Sequence, residues 1–346
     1  MTRNKEFFVP SHDYNNSRGR YYGVSNVRAK SQVNKSSVEP QPILKKRQLW
    51  KQIVKSYDLY LMLLLPIAWY IIFQYGPMYG LQIAFKDFNP SFGFLGSEWV
   101  GFENFTRFFE SYYFGRLLWN TFSISIYSLL IAFPIPILLA LLINEIRSNA
   151  LKKWVQNVTY IPHFISVVVI VGMLSLFLNP ASGIVNTMLN ALGIDSVAFM
   201  EKPGWFKTIF IGSNIWQSMG WQSIIYIAAL AGIDPQLYEA AKMDGASRFQ
   251  RIIHVSIPGI LPVIIILLIL DVGNFLNVGF EKILLMQNNL NMKSSDVIQT
   301  FVYRNGILNG DFSYSAAIGL FNSVINFILL IFINQFAKKK AETSLW

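Results

Sequence analysis

Six long apolar stretches constrain this chain more than any other feature of its sequence. A helix needs about 20 mainly apolar residues to cross the hydrocarbon core of a bilayer. The stretches are continuous rather than alternating in polarity, which excludes the strands of a membrane barrel. Charged residues make up only 14% of the chain, against roughly 25% in soluble proteins. The sequence therefore predicts an all-α integral membrane protein with about six transmembrane helices, at residues 58–80, 118–143, 159–178, 206–230, 258–280 and 315–337.

The basic residues concentrate on one side of these predicted spans. Lys and Arg outnumber Asp and Glu by 29 to 19, and 21 of the 29 lie in the N-terminal tail, the second and fourth connections and the C-terminal end. Because these clusters lie beside apolar runs, they indicate a membrane surface rather than nucleic acid as the partner. Cytoplasmic connections are enriched in Lys and Arg. The pattern predicts that both termini are cytoplasmic, as an even number of spans requires.

The two ends of the chain differ in composition from the predicted transmembrane domain, residues 57–340. Residues 1–56 are polar and basic, and they hold too few apolar residues to fold alone, which predicts a disordered cytoplasmic tail. The basic residues between Lys45 and Lys55 are expected to lie on anionic lipid, to set the topology, or both. Residues 341–346 are predicted to form a cytoplasmic C-terminus. The chain contains no cysteine, which excludes disulfides, iron–sulfur clusters and cysteine-based zinc sites.

The first outer connection is rich in aromatic residues. Trp99, Phe102 and Phe105 are followed closely by Phe108 and Phe109. Aromatic side chains at this position are typical of the headgroup level of a membrane. The segment is either a simple interfacial anchor or a docking surface for an external protein.

The fourth connection, residues 234–257, carries the local signals of a helical hairpin outside the bilayer. Asp234 is a favourable N-cap and Pro235 suits the first helical position. Gly245 is suited to the left-handed conformation that ends a helix. Ser247 is placed to cap a second short helix, and Pro258 and Pro262 are expected to bound its exit into the fifth span. The sequence thus predicts a structured protrusion on the cytoplasmic side.

This hairpin resembles the EAA motif of binding-protein-dependent ABC importer permeases. The resemblance covers Glu239-Ala240-Ala241, Asp244-Gly245-Ala246, Pro258 and Pro262 at the spacing of that family; Ile252 or Ile253 stands where the family often has Phe. The resemblance implies a type I ABC importer permease fold in a bacterial cell membrane, with a coupling helix that sits in a cleft of an ATP-binding subunit. The residues implied in coupling are Glu239, Ala240, Ala241, Asp244 and Gly245.

Further segments are similar to the maltose-type sugar permeases, and the similarity extends across about residues 55–340. Residues 99–105 and Asn120-Thr121 carry it, while residues 57–61, 82–86 and 312–317 look like the complex-polysaccharide branch. The family implies import of oligosaccharides or polysaccharide fragments. It also implies a second permease subunit, two ATP-binding cassette subunits that hold ATP and Mg, and an extracytoplasmic solute-binding protein. The chain has no GxxxxGK[ST] motif, so we expect it to hold no cofactor and to bind no ATP itself.

Polar residues within the fourth span form a candidate solute pathway. Asn214, Gln217, Ser218 and Trp221 recur at i, i+3, i+4 and i+7, which places them on one helical face. Amides, hydroxyls and aromatic rings are the groups that recognise sugars, and in maltose-type permeases the corresponding stretch contributes to the sugar site. Polar packing between helices is the alternative explanation of the same pattern.

The fifth span adds Asp271, Asn274 and Asn277 to this candidate pathway, and the sixth holds further amides at Asn322 and Asn326. Intramembrane polar groups are costly and usually face a cavity or another helix. Asp271 either hydrogen-bonds solute hydroxyls or pairs with a neighbouring subunit.

Two other classes of protein compete with the permease interpretation. A secondary transporter is expected to show a coupling-ion site and a repeat architecture, and we identify neither in the sequence. A membrane-embedded glycan-processing enzyme needs a constellation of carboxylates or histidines, whereas the acidic residues here are dispersed. His163 and His254 are too isolated to predict a metal site.

Overall fold

The computed structural model describes residues 55–341, with side chains to residue 339. The predicted tail, 1–56, and the predicted C-terminus, 341–346, therefore lie almost wholly outside the described residues. The chain divides into two units between Leu65 and Pro66, and the described part of the first contains the start of helix α1.

Helices form nearly all of the regular structure in residues 55–341. The α-helices are α1 (Tyr57–Tyr70), α2 (Gly76–Met78), α3 (Gly93–Gly96), α4 (Glu103–Phe109), α5 (Phe114–Tyr127), α6 (Pro134–Glu145), α7 (Asn149–Tyr160), α8 (Val167–Phe177), α9 (Ile184–Ala191), α10 (Pro203–Ala231), α11 (Pro235–Met243), α12 (Arg248–Arg251), α13 (Ile257–Gly273), α14 (Phe280–Met286), α15 (Met292–Ser295), α16 (Ile298–Tyr303) and α17 (Phe312–Ala341). Wider π-turns cover Ile71–Tyr75, Ser128–Ala132, Ile252–Ser256 and Arg304–Leu308, and 3₁₀ turns cover Tyr79–Phe85 and Ile161–Phe164. Two short strands, β1 (Lys86–Asp87) and β2 (Glu98–Trp99), pair antiparallel.

Four helical runs in the described part of the chain are long and apolar enough to cross a membrane, at Tyr57–Phe85, Phe114–Glu145, Arg248–Gly273 and Phe312–Lys339. They contain the predicted first, second, fifth and sixth spans for most of their length. The predicted fourth span is α10, which has 29 residues and a length of about 44 Å. It falls outside the four because its interior polar residues lower its apolarity.

The predicted third span, 159–178, is not one straight helix. The run Asn149–Phe164 and the helix Val167–Phe177 meet at a bend of 99°, and they make a fifth span only if counted together. Pro162 lies in the 3₁₀ turn at the bend, and the Ser166 hydroxyl caps the next helix by accepting from the Val169 N–H at 3.4 Å. A cap starts a new helix where a continuous span was expected.

The second helix of the hairpin starts after Ser247 as the sequence predicts, but it continues into the fifth span instead of ending before Pro258. Residues 248–273 form one helical run that contains a π-turn at Ile252–Ser256. Pro258 follows this turn in the first positions of α13. A π-turn widens the helix locally, so the missing N–H and the bulk of the proline ring are accommodated without ending it.

Helix α10 supplies residues to two of the three apolar clusters of the core. At its start, Phe206 and Phe210 pack with Ile283 of α14, and near its end Tyr226 and Leu230 belong to a second cluster with Ile260. Its neighbours along the way include α6, α7 and α13. The helix with the predicted solute stripe is therefore held from several sides.

Two of the segments that carry the polysaccharide-permease resemblance pack against each other. The 3₁₀ turn Tyr79–Phe85 lies against α17, and just beyond it the Phe88 N–H donates to Ser313 Oγ at 2.8 Å. Asn104 of the aromatic segment is buried, and its Nδ2 donates to the carbonyl oxygens of Ala84 and Lys86 at 3.1 and 3.2 Å. The segment is thus part of a small folded unit, while Trp99 and Phe102 remain 62% and 71% exposed. Both interpretations of this surface, anchor and docking site, stay predictions.

Gly220 is the point of closest approach between α10 and the end of α7. A Cβ atom at this position would lie 2.1 Å from the Thr159 carbonyl oxygen, so only glycine fits without a shift of the backbone. Small residues at helix crossings allow backbones in membranes to approach closely.

We expect Gly220→Ala to lower the free energy of unfolding by about 1–3 kcal/mol, because the added methyl overpacks this crossing. Gly212→Ala on the same helix is the matched control, since no atom lies within 4 Å of a Cβ there. Because alanine has a higher helix propensity than glycine, the Gly212→Ala control should be more stable than the wild type by up to about 1 kcal/mol. Thermal unfolding in detergent measures both variants, and equal melting temperatures would contradict the close crossing.

Candidate functional site

Helix α11 and the turn that follows it carry the residues implied in coupling, and the helix is capped at both ends as the sequence predicts. Asp234 Oδ1 accepts from the Gln236 N–H at 2.9 Å, and Pro235 is the first helical residue. At the other end the Ala246 N–H donates to the Ala241 carbonyl at 2.9 Å, and Gly245 has a φ of +78°. This is the Schellman arrangement that favours glycine.

The rest of the hairpin is fastened by side-chain hydrogen bonds. Ser247 and Gln250 form a reciprocal capping box, with distances of 2.8 and 3.3 Å, which confirms the predicted cap at Ser247. The Tyr238 hydroxyl lies 2.9 Å from Ser256 Oγ and ties α11 to the π-turn that leads into α13. The hairpin is therefore preorganised within this chain alone.

The outer face of α11 is open. Glu239, Ala240, Asp244 and Gly245 are exposed, and Ala241 is half-buried. Glu239 lines a cavity of about 480 Å³ whose charged lining residues are Glu145, Arg147, Glu239, Lys242, Arg248 and Arg251. The three ion pairs found in residues 55–339 lie elsewhere in the chain, so the Glu239 carboxylate has no cationic partner at ion-pairing distance in the described structure.

Four of the seven predicted pathway residues meet in one cavity, which we name the Asp271 cavity. It has a volume of about 490 Å³ between α10, α13 and the π-turn at Ser128–Ala132. Its lining includes Asn214, Ser218, Asp271 and Asn274, together with Gln222 and Tyr226. A carboxylate, amides and hydroxyls here face a common space that is partly apolar, which is typical of small-molecule sites.

The other three predicted residues do not line the Asp271 cavity. Gln217 Nε2 donates to the Ile165 carbonyl at 3.2 Å, and the Trp221 ring stacks on His163 with 4.6 Å between ring centroids. Asn277 accepts from Gln299 and Asn322 at 3.0 and 3.2 Å. The helical stripe is divided because the bent segment at residues 161–165 covers one side of it.

Lys282 is a residue of this site that sequence reasoning missed. It is only 4% exposed, and its Nζ donates to Asn214 Oδ1 at 2.8 Å and lies 3.5 Å from Gln217 Oε1. An ammonium can only donate, so both amide oxygens are turned toward it. The Asn214 NH₂ group is left as the donor available to the Asp271 cavity. The one signal in the sequence is a lysine that directly precedes the apolar run 283–286.

A second missed group is the buried carboxylate of Asp296. Its Oδ2 lies 2.9 Å from Arg304 and 3.2 Å from Arg116, and the Asn120 side chain donates to its carbonyl oxygen at 3.0 Å. A buried carboxylate is tolerated when it is paired and hydrogen-bonded in this way. The cluster fixes α5 to the segment between the fifth and sixth spans. Among residues 55–341 no group of three or more His, Asp or Glu side chains has the arrangement of a metal site.

Comparison with known proteins identifies the family. Residues 132–342 match the family described as binding-protein-dependent transport system inner membrane component. Two curated proteins of Bacillus subtilis (strain 168) are similar over most of their length. Protein LplB is 44% identical over 288 residues, which cover 83% of this chain and 91% of LplB. The polygalacturonan/rhamnogalacturonan transport system permease protein YteP is 43% identical over 302 residues, or 87% of this chain and 94% of YteP.

Solved structures agree with the sequence relatives. A chain of a bacterial ABC transporter involved in the import of the acidic polysaccharide alginate is 43% identical, with a TM-score of 0.79 over 85% of this chain and 99% of that chain. The bacterial alginate transporter in complex with an alginate pentasaccharide-bound periplasmic protein gives 42% identity and a TM-score of 0.80, over 86% of this chain and 100% of that chain.

This chain belongs to the family of binding-protein-dependent transport system inner membrane components. It is a multi-pass membrane protein with the type I importer permease fold, and it is a permease subunit of an ABC importer rather than an enzyme. The predicted class, inferred from the hairpin and the apolar spans, is confirmed.

The contact between Lys282 and the two amides can be tested by thermal unfolding. We expect Lys282→Met to destabilise the protein, because each buried amide oxygen left without a donor costs about 1–3 kcal/mol. Asn214→Leu in the Lys282→Met background should recover part of this loss, since it removes one orphaned oxygen. Lys202→Met, at an exposed lysine, is the control. Strictly additive effects of the Lys282 and Asn214 substitutions would show that the two side chains do not interact.

Proposed function

We propose that this chain and a second permease subunit form the pathway of an importer for oligosaccharides or polysaccharide fragments. An extracytoplasmic solute-binding protein delivers the solute, and two ATP-binding cassette subunits with ATP and Mg drive the cycle. The complex of the similar alginate transporter with a periplasmic protein supports the binding-protein partner. The names of the relatives, which include polygalacturonan, rhamnogalacturonan and alginate, support a carbohydrate as the solute.

Coupling to the ATP-binding subunits is proposed to occur through α11. The observation that carries this proposal is the exposed, capped helix whose Glu239 carboxylate has no cationic partner within the described chain. A carboxylate at such a surface accepts charge-assisted hydrogen bonds from basic or backbone donors of a partner. The small side chains of Ala240 and Ala241 allow a partner to approach this part of the helix closely. Asp244 and Gly245 shape the turn that ends the helix.

The Asp271 cavity is the proposed solute contact within this subunit. Asn214 offers its NH₂ group, while Asp271, Ser218 and Asn274 offer oxygen acceptors or amide groups to sugar hydroxyls. The other three residues do not touch the solute in this proposal. Contacts of Gln217, Trp221 and Asn277 hold in place the helices that form the cavity. Net polar contacts of this kind contribute about 1 kcal/mol each, so several are needed together.

The coupling proposal is tested by Gly245→Val in the assembled transporter. A side chain at a φ of +78° costs about 1–2 kcal/mol, and it distorts the turn that presents Glu239. We expect normal membrane abundance, lost uptake, and ATPase activity that no longer rises with loaded binding protein. Gly193→Val is the matched control, because Gly193 ends α9 with the same Schellman bonds and a φ of +77°. Full stimulation in Gly245→Val would refute the coupling role.

The proposed orientation places both termini and α11 in the cytoplasm. The native chain has no cysteine, so single cysteines report accessibility without background. Ser247→Cys should react with an impermeant thiol reagent only from inside, and Ser91→Cys, at an exposed site in the first outer connection, only from outside. Ser97 is unsuited, since its side chain is buried and donates to the Gly93 carbonyl at 2.6 Å. Labelling of position 247 from outside would contradict this orientation.

A further inference from the structure

A second cavity, which we name the Lys207 cavity, lies between α5 and the start of α10. Its volume is about 730 Å³, larger than that of the Asp271 cavity. Residues that line it include Trp119, Ser123, Tyr127, Lys207 and Lys293. None of the predicted pathway residues belongs to it.

The charged residues that line the Lys207 cavity are all basic. Lys207 and Lys293 are its charged lining residues, and no acidic side chain is found among the described residues of the lining. Lys207 Nζ donates to Ser123 Oγ at 2.5 Å and lies 6.0 Å from the centre of the Trp119 ring. The ammonium is thus held in place by a hydroxyl and keeps its remaining protons for an anionic acceptor.

The wall of the Lys207 cavity that α5 forms presents aromatic surface. Trp119 is 71% exposed and Tyr127 is 49% exposed. A sugar packs its C–H face on such rings while a carboxylate on the same sugar reaches a neighbouring ammonium. The combination of aromatic faces with a few placed polar groups is typical of sites for small polar molecules.

The Lys207 cavity and the Asp271 cavity follow one another along α10. Lys207 and Asn214 are seven residues apart on α10, which is two helical turns and a rise of about 10 Å on the same face. On the opposite wall Tyr127 lines the first cavity, and the adjacent Ser128 lines the second. The buried Lys282 donates to Asn214, which lines the Asp271 cavity.

We propose that the Lys207 cavity is a separate sugar subsite, which binds the carboxylate of an acidic sugar unit before the solute reaches the Asp271 cavity. The transported solute is therefore a uronate-containing oligosaccharide. This inference rests on the proposed carbohydrate import and on the proposed orientation, which puts this end of α10 on the outer side.

The charge of the solute is tested in cells of the source organism that lack the chromosomal copy and carry this chain on a plasmid. Uptake is measured for oligogalacturonates and oligomannuronates, for their methyl esters, and for neutral glucan and xylan oligosaccharides. We expect import of a free uronate oligosaccharide in preference to its ester. Preference for a neutral sugar would overturn this inference and leave the carbohydrate function standing. If an assembled complex imports none of these sugars, both this inference and the proposed carbohydrate function are wrong.

The subsite itself is tested by variants of Lys207. Lys207→Gln should raise the KM for the free uronate at least about tenfold, as expected for a lost charge-assisted bond. The maximal rate and the uptake of the ester should change little. Lys207→Arg should retain uptake within a few-fold, and Lys202→Gln, at an exposed lysine five residues earlier, should match the wild type. Equal losses for free acid and ester would overturn the subsite.

An anionic lipid headgroup presents the same charge as a uronate, so its binding is measured separately. The lipids that co-purify with the wild type and with Lys207→Gln are quantified by mass spectrometry. Unchanged lipid content together with the altered KM supports the sugar subsite. Loss of an anionic lipid from Lys207→Gln, with unchanged selectivity between acid and ester, would assign the cavity to lipid and overturn the proposal.

Discussion

The close crossing of α10 and α7 at Gly220 is the contact on which the surroundings of the polar residues of α10 depend. With the Thr159 carbonyl so near the α10 backbone, the turn at residues 161–165 is pressed against one side of the helix. That turn takes the side chains of Gln217 and Trp221. Lys282 holds Asn214 through a hydrogen bond of 2.8 Å, and Asn214 and Ser218 line the Asp271 cavity. The close crossing at Gly220 thus brings the turn at residues 161–165 against the part of the polar stripe that does not line the Asp271 cavity.

Local signals made much of the fold predictable. Apolarity over about 20 residues located the first, second, fifth and sixth spans, because each depends on its own composition. The caps at Asp234, Gly245 and Ser247 were correct for the same reason, since a cap satisfies groups within four residues of itself. The bend in the third span was missed although Pro162 and Ser166 mark it, because apolar content outweighed these breakers in the prediction.

Contacts between distant segments were not predictable from one sequence. Lys282 and Asn214 are 68 positions apart, and Asp296 and Arg116 are 180 apart. Neither pair has a periodic pattern or a spacing that marks it. The pathway was therefore predicted as one helical face, and the neighbours that divide this face emerged only in three dimensions. Lys207 lies in the first turns of α10 and within the predicted fourth span, but no pattern in the sequence marked it as a site residue.

The π-turn at Ile252–Ser256 has a structural consequence. Because Pro258 does not end the helix, a single rod runs from Arg248 beside the hairpin to Gly273 beside the Asp271 cavity. A rod of 26 residues is about 39 Å long, so the hairpin and the Asp271 cavity lie at opposite ends of one continuous helical run.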